Sequence, residues 1–390
     1  MPWKSCNVMD MRVEFISRAI GGREAISSLC REYGISRVTG YKWLNRYNAK
    51  GSVLEASIEE TRRPHRSPGQ TAFGKIQRVL ELRRTEGWGA RKLRELLLRE
   101  GIELPVITIH RILRRHGLIP AKDIHRPATR RFERANPNDL WQMDFKGEYR
   151  LSAGYCYPLS LLDDHSRYAV GLYALSNQKG DAVQRCLIDA FEQYGVPSAI
   201  LLDHGVPWWG RLNHQGLTWL TVFLMKQGIE LLWSGVGHPQ TQGKVERFHR
   251  TLKDSIWHKG KPDNLPGWQR FLDGFRDVYN RIRPHEALNM SVPAEHYRPS
   301  PRAYNPCPPE WEYPEGVLVK RLNSQGSLAY KEKRYFVCEA LANEQVQVEE
   351  VDSLLLVKYR NTYIREVCLE TGRTYSPVHP DKKNKPKSQV

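Results

Sequence analysis

At 390 residues the chain exceeds one ordinary core, and roughly 100–200 residues per domain predicts two to four domains. It carries 60 Lys and Arg against 43 Asp and Glu, a formal net charge of +17, which points to a polyanionic partner, either nucleic acid or an anionic membrane surface. Its seven cysteines include no C-x-x-C pair, its start MPWKSCNVMD shows no apolar leader with a cleavage site, and no run approaches 18 apolar residues. These features argue against a zinc ribbon, a disulfide framework, a secreted protein and a membrane protein, and predict a soluble intracellular chain with reduced thiols.

The charge is concentrated at one end. Residues 1–135 hold 28 Lys and Arg against 14 Asp and Glu, a net of +14, and 22 of the 28 are Arg, whose planar fork suits phosphate and guanine edges. Helices are predicted at 13–19, 23–33 and 36–47, the last two joined at Gly34-Ile35 as a helix-turn-helix with Ser36 as cap. In the third, the expectation is that Arg37, Thr39, Gly40 and Lys42 face the major groove while Val38, Tyr41, Trp43 and Leu44 pack inward. After the linker TRRPHRSPGQ come helical patterns at 73–84, 90–100 and 108–116. The last is a second basic reader offering Thr108, His110, Arg111, Arg114 and Arg115. The domains expected are therefore 1–50 and 72–119, both helix-turn-helix, followed by an Arg- and Pro-rich linker over 120–138.

A third domain is predicted at 139–298. LWQMDFKGEYRL, YPLSLLDD and RYAVGLYAL read as successive strands, and GDAVQRCLIDAFEQYG is an amphipathic helix with Val183, Cys186, Leu187, Ala190, Phe191 and Tyr194 on one stripe. A strand at 199–203, a helix at 217–227, a strand at 229–233 and a long helix at 240–257 complete the order βββαβαβα, and a further helix at 267–282 is expected to pack against this domain. That order describes a mixed five-stranded sheet covered on both faces, an RNase H-like arrangement in a chain of α+β and α/β class. Past a Pro-rich linker, residues 315–372 read as a small β-barrel, and 373–390 as a disordered tail.

Three acids stand at element edges: Asp144 in the first strand, Asp203 at the end of the fourth, and Glu246 in the long helix. Strand ends of one open sheet can bring them together. Carboxylates so gathered repel one another unless a cation neutralises them, and hard oxygen donors suit Mg²⁺. Two ions about 3.5–4 Å apart would serve an in-line phosphodiester displacement by water or a 3′-hydroxyl. On the same helix, Arg250 and Lys253 follow Glu246 at i+4 and i+7, placing phosphate-seeking cations on its face.

The segments WQMDFKG, LLDHG, HPQTQGKVERFHRTLK and YNRIRPHEAL resemble the landmarks of DDE-type transposases of bacterial insertion sequences, whose core is similar to that of retroviral integrases. The resemblance covers about 150 residues, 140–288. It implies that Asp144, Asp203 and Glu246 hold two Mg²⁺ (or Mn²⁺) ions, and that Gln242 and Lys244 lie near the scissile strand. It also implies DNA partners (the element's terminal inverted repeats and a target), a homo-oligomer on paired ends, and a bacterial cytoplasmic, nucleoid-associated location. Two departures stand out: His204 replaces the usual Asn after the second Asp, and PWWGRLNHQG (207–216) is an extra loop. Trp208 and Trp209 in it either stack on unpaired bases or pack beneath the loop. Asp163 and Asp164 are expected to cap or pair with Arg167 rather than bind metal, and His165, His238 and His249 to make local hydrogen bonds. Two other readings stay open: a DNA-binding regulator without activity, and a nuclease without a joining step.

Overall fold

The structure, a computed structural model, describes residues 7–61, 69–119, 133–210, 216–234 and 243–376. It divides after residue 71 into two compact units. In the first, α1 (Val8–Ile20), α2 (Ile26–Glu32), α3 (Arg37–Lys50) and the short α4 (Val53–Ser57) enclose a core of Phe15, Ile16, Leu29, Cys30, Trp43 and Ala56. Ser36 caps α3 as expected, its Oγ accepting from the Thr39 amide at 3.1 Å. Gly40 does not face outward. It is buried, and a Cβ there would lie 2.6 Å from Cys30 Sγ, so its lack of a side chain lets α3 close on α1 and α2. The outward positions go to Val38, 81% exposed, and Tyr41, 50% exposed, a reversal of the inward packing predicted for them. Removing the cap with Ser36→Ala should cost this unit about 1 kcal/mol, read as a lower urea midpoint.

In the second unit α5 (Phe73–Glu86), α6 (Ala90–Arg99) and α7 (Val106–Arg115) pack around Leu80, Leu93, Leu97, Ile109 and Leu113. The strands β1 (Trp141–Phe145), β2 (Tyr149–Arg150), β3 (Tyr155–Asp163) and β4 (Ala169–Leu175) come next, then α8 (Gly180–Tyr194), β5 (Ala199–Leu202), α9 (Trp219–Lys226), β6 (Glu230–Trp233), α10 (Gly243–Lys259) and α11 (Leu265–Asp277), which ends in a π-helical turn at Val278–Ile282. The main sheet runs β4-β3-β1-β5-β6, with β4-β3-β1 antiparallel and β1-β5-β6 parallel. This is the predicted mixed sheet, with the two-residue β2 added beside β3.

Both faces are covered because the strands alternate. In β3, Leu159 and Leu161 join Trp141, Phe191 and Leu224 under α8 and α9. Cys156 and Leu162 point the other way, to Phe248, Leu252, Trp268 and Leu272 of α10 and α11.

After α12 (Pro293–His296), the C-terminal region forms β7 (Leu318–Arg321), β8 (Ser327–Tyr330), β9 (Lys333–Phe336), β10 (Gln345–Val351), β11 (Leu354–Tyr359), β12 (Thr362–Cys368) and β13 (Thr374–Tyr375). The expected barrel is not closed. Among the described residues β13-β12-β11-β10-β7 is an open antiparallel sheet, and β8-β9 a separate hairpin. The reason lies in what covers its apolar face: Leu217, Val222 and Met225 from the α9 region share one core with Leu328, Leu341, Val346, Leu355 and Val357. Arg360 fastens the contact, donating to the Met225 and Lys226 carbonyls in the last turn of α9 at 3.0 Å each. The pairing of β13 with β12 also carries ordered structure into the stretch predicted as a disordered tail; residues 377–390 lie outside the described residues.

Candidate active site

The sheet brings two of the three acids level. Trp141 pairs with Ile200 and Gln142 with Leu201 in the parallel β1–β5 register, and continuing it two residues sets Asp144 beside Asp203, on neighbouring strands about 4.8 Å apart. Burial pushes the Asp144 carboxyl up to about 7, and the Asp203 charge and, more weakly, that of Glu246 add to the rise. Asp144 therefore feels both of the other acids.

Asp203 is held from the loop that follows it. Its Oδ1 accepts from the Gly205 amide at 2.9 Å and from the Trp208 indole N–H at 2.5 Å. Trp208 is buried and stacks on Phe145, next to Asp144, with ring centroids 5.4 Å apart. Trp209 is buried as well, and His204 sits 5.0 Å from its ring and 5.3 Å from that of Trp233. Of the two readings of the Trp pair, packing beneath the loop is what the structure adopts. His204, the departure from the family pattern, belongs to that aromatic cluster. Trp208→Phe keeps the stacking but removes the donor to Asp203. It is expected to lower cleavage turnover about 10–100-fold, the usual cost of losing an outer-shell hydrogen bond to a ligand; an unchanged rate would show that the indole N–H does not orient the carboxylate.

Glu246 lies in the first turn of α10 and is exposed. The start of α10 is tied to the sheet by Gln142, whose Oε1 accepts from the Val245 amide at 3.2 Å while its Nε2 donates to Asp164 Oδ1 at 2.8 Å. Lys244, expected near the scissile strand, is engaged within the protein. Its ammonium pairs with the fully buried Asp164 at 2.6 Å and donates to the Asp164 carbonyl at 2.9 Å, and burial brings it down to about 8 in spite of the carboxylate.

Asp163 accepts from the Asn138 and Ser166 amides at 2.7 and 2.8 Å, the capping role expected of it, and burial raises its pKa. Arg167 pairs instead with Glu133 at 3.2 Å. Arg250 and Lys253 are exposed on the Glu246 face of α10, whereas Gln242 and His238 lie outside the described residues.

His249, one turn on from Glu246, makes the local hydrogen bond expected of it, and its approach to Asp144 is what the sequence did not show. Its Nε2 meets Ser160 Oγ at 2.9 Å and its Nδ1 lies 3.6 Å from Asp144 Oδ2. That distance would suit an ion pair, but burial holds the imidazole down at about 3, so it stays neutral and the contact is a polar one. No signal in the sequence marks that approach; the pairing of His249 with Ser160 depends on β1 and β3 lying side by side. His165 does make a local bond, at 2.9 Å to the Arg134 carbonyl.

The donor set fits a hard cation: carboxylate oxygens, one of them raised in pKa by burial and like charge, a cost that a cation removes. Among the described residues no three His, Cys, Asp or Glu stand close enough to hold an ion. The helical readers are placed as follows. Arg37 and Lys42 are exposed on α3, with Lys42 4.9 Å over the Trp43 ring. Thr39 is half-buried, its hydroxyl 2.9 Å from Ser36 Oγ inside the cap. Arg111, Arg114 and Arg115 are exposed on α7. Among the described residues, no helix is long and apolar enough to cross a membrane.

Comparison with known proteins gives matches along most of the chain. Two family models described as an integrase core domain match residues 134–239 and 227–293. A helix-turn-helix domain matches 11–63, and a homeodomain-like domain 39–113. An uncharacterized 31.7 kDa protein of insertion element IS407 from Burkholderia multivorans is 26% identical over 53% of this chain and 74% of its own. An uncharacterized 39.2 kDa protein of IS476 from Xanthomonas euvesicatoria is 27% identical over 56% of this chain and 63%, just under two thirds, of its own. The Gag-Pol polyprotein of baboon endogenous virus is 27% identical over 43% of this chain and 10% of its own length. Among solved structures, the HTLV-2 integrase catalytic core domain in complex with magnesium is similar at 15% identity and a TM-score of 0.32, covering 42% of this chain and 98% of that one. The domain matches and the insertion-element relatives agree on one organisation: the chain joins an integrase core domain to helix-turn-helix domains and is similar to proteins of insertion elements and to retroviral Gag-Pol polyproteins.

Proposed function

We propose that the protein is the transposase of an insertion sequence: it binds the terminal inverted repeats of its element, cleaves the ends, and joins the released 3′-hydroxyls to target DNA. The observation that carries the reading is the placement of Asp144 in β1 and of Asp203 just past the end of β5, the parallel neighbour of β1, in an integrase core, with the charges of Asp203 and Glu246 both acting on Asp144. In this reading Asp144, Asp203 and Glu246 hold Mg²⁺. When bound, the metal polarises the phosphoryl group and lowers the pKa of the attacking hydroxyl.

The chain's own residues set up the rest. Trp208 and the Gly205 amide both bind Asp203 Oδ1, which fixes the carboxylate plane and leaves Oδ2 for a ligand. Gln142 and Lys244 fix the start of α10, and with it the position of Glu246. Arg37 and Lys42 on α3, and Arg111, Arg114 and Arg115 on α7, are the proposed contacts to the repeats, with Arg250 and Lys253 on the strand being cut. Two ends must be held together for joining, so the working form is proposed to be a homo-oligomer on paired ends.

Incubating the protein with labelled element ends, Mg²⁺ and a target plasmid tests this directly. Joined product supports the transposase. Cleavage alone would favour a nuclease, and binding alone a regulator.

A further inference from the structure

A second charged region lies outside the carboxylates, inside the second compact unit. A cleft of about 540 Å³ opens between the α5–α6 turn, the first turn of α6, α10 and the π-helical turn that ends α11. It is lined by six cations, Arg91, Lys92, Arg247, Arg250, Lys259 and Arg283, against three acids, Glu86, Asp254 and Glu286. Its walls are fixed against each other: a Cβ on Gly87 would lie 2.4 Å from His258 Nε2, and Arg99 donates to the Ile282 carbonyl at 2.9 Å.

Among the described residues neither Lys92 nor Arg247 nor Arg283 makes an ion pair. Arg283 Nε is buried without a hydrogen-bond partner, and the hydrogen bond of this guanidinium is a long one, 3.5 Å to Thr251 Oγ1. Burial, with Arg283 adding repulsion, lowers Lys92 to about 7, and burial lowers Arg283 as well. Two half-buried like charges lining one cleft are costly unless an anion joins them. The ten-residue α6 adds to the pull, since its first turn lines the cleft and its N-cap, Gly89, supplies no side-chain acceptor.

We propose that this cleft binds the sugar–phosphate backbone of DNA, seating adjacent phosphates between Lys92 and Arg283. Position selects this anion over others. At about 1.5 Å per residue, Arg250 to His258 lie roughly 6–18 Å along α10 from Glu246, which is about two to five steps of 3.4 Å along one DNA strand. A backbone lying across Glu246 thus continues into the cleft, and α7, whose exposed Arg111 and Arg114 are the second reader, begins at its rim with Val106 and His110. The helical unit and the core then grip one duplex together. The inference rests on the reading of the chain as a DNA-processing protein.

The test uses the full-length protein and a fluorescein-labelled 30-base-pair duplex, with anisotropy followed across a salt series. The double variant Lys92→Gln/Arg283→Gln is expected to weaken binding at least tenfold at physiological salt and to lower the slope of log K against log salt by about 1.8, roughly 0.9 for each phosphate no longer neutralised. Arg185→Gln, exposed on α8 beside Asp181, should change neither. In wild-type protein, limiting acetic anhydride at pH 7 should acetylate Lys92 readily, and saturating duplex should suppress that at least fivefold by mass spectrometry; this arm is independent of how the variant folds. An unprotected Lys92, or an unchanged slope in a folded variant, overturns the cleft while wild-type binding leaves the functional reading standing. Failure of the wild type to bind duplex at all overturns both. Protection of Lys92 by a second copy of the chain without DNA would assign the cleft to an acidic protein surface and overturn the proposal.

Discussion

Lys244→Met is expected to destabilise the second compact unit by about 3–5 kcal/mol, the typical cost of leaving one member of a buried ion pair without the other. Asp164 is fully buried and its Oδ2 takes the Lys244 ammonium at 2.6 Å and the Arg134 amide at 2.8 Å. Methionine fills much the same volume, so the loss isolates the charge rather than a cavity. The effect should reach the active site as well, because the same lysine anchors the residue two positions before Glu246. Thermal melting monitored by near-UV circular dichroism would show a clear drop in Tm. A change equivalent to less than about 1 kcal/mol would mean that Asp164 is satisfied by Gln142 and Arg134 alone, as an exposed pair would be.

The arrangement of the core was legible because its signals are periodic. The stripe over 183–194 and the alternating strands specify elements and faces, and both faces of the sheet must be covered. The acids were singled out because chemistry of that kind places them at strand ends, and in the structure Asp144 lies in β1 and Asp203 just past the end of its parallel neighbour β5.

What could not be read is cooperative. Lys244 looks like a free cation on a helix start until the buried Asp164 meets it. Gly40 sits at a position that periodicity alone places on the reading face, yet the approach of Cys30 and Phe15 requires its missing side chain. Trp208 reads equally well as a base-stacking residue and as packing, since only the folded loop brings its N–H to Asp203. The barrel was inferred from a run of short strands, and no local pattern announces that α9 will cover the face a barrel would have closed over.

The central claim is that Glu246 completes a metal-holding set with Asp144 and Asp203. Glu246→Gln preserves size and hydrogen bonding while removing the charge, and the exposed side chain makes little demand on folding. Loss of several kcal/mol of transition-state stabilisation corresponds to a fall of about a thousandfold or more in rate. The decisive measurement is strand cleavage of labelled element ends in Mg²⁺ by wild type and Glu246→Gln, with end binding followed in parallel by gel shift. Cleavage reduced below detection with end binding unchanged is the predicted result; cleavage by the variant at a rate near that of wild type would contradict it.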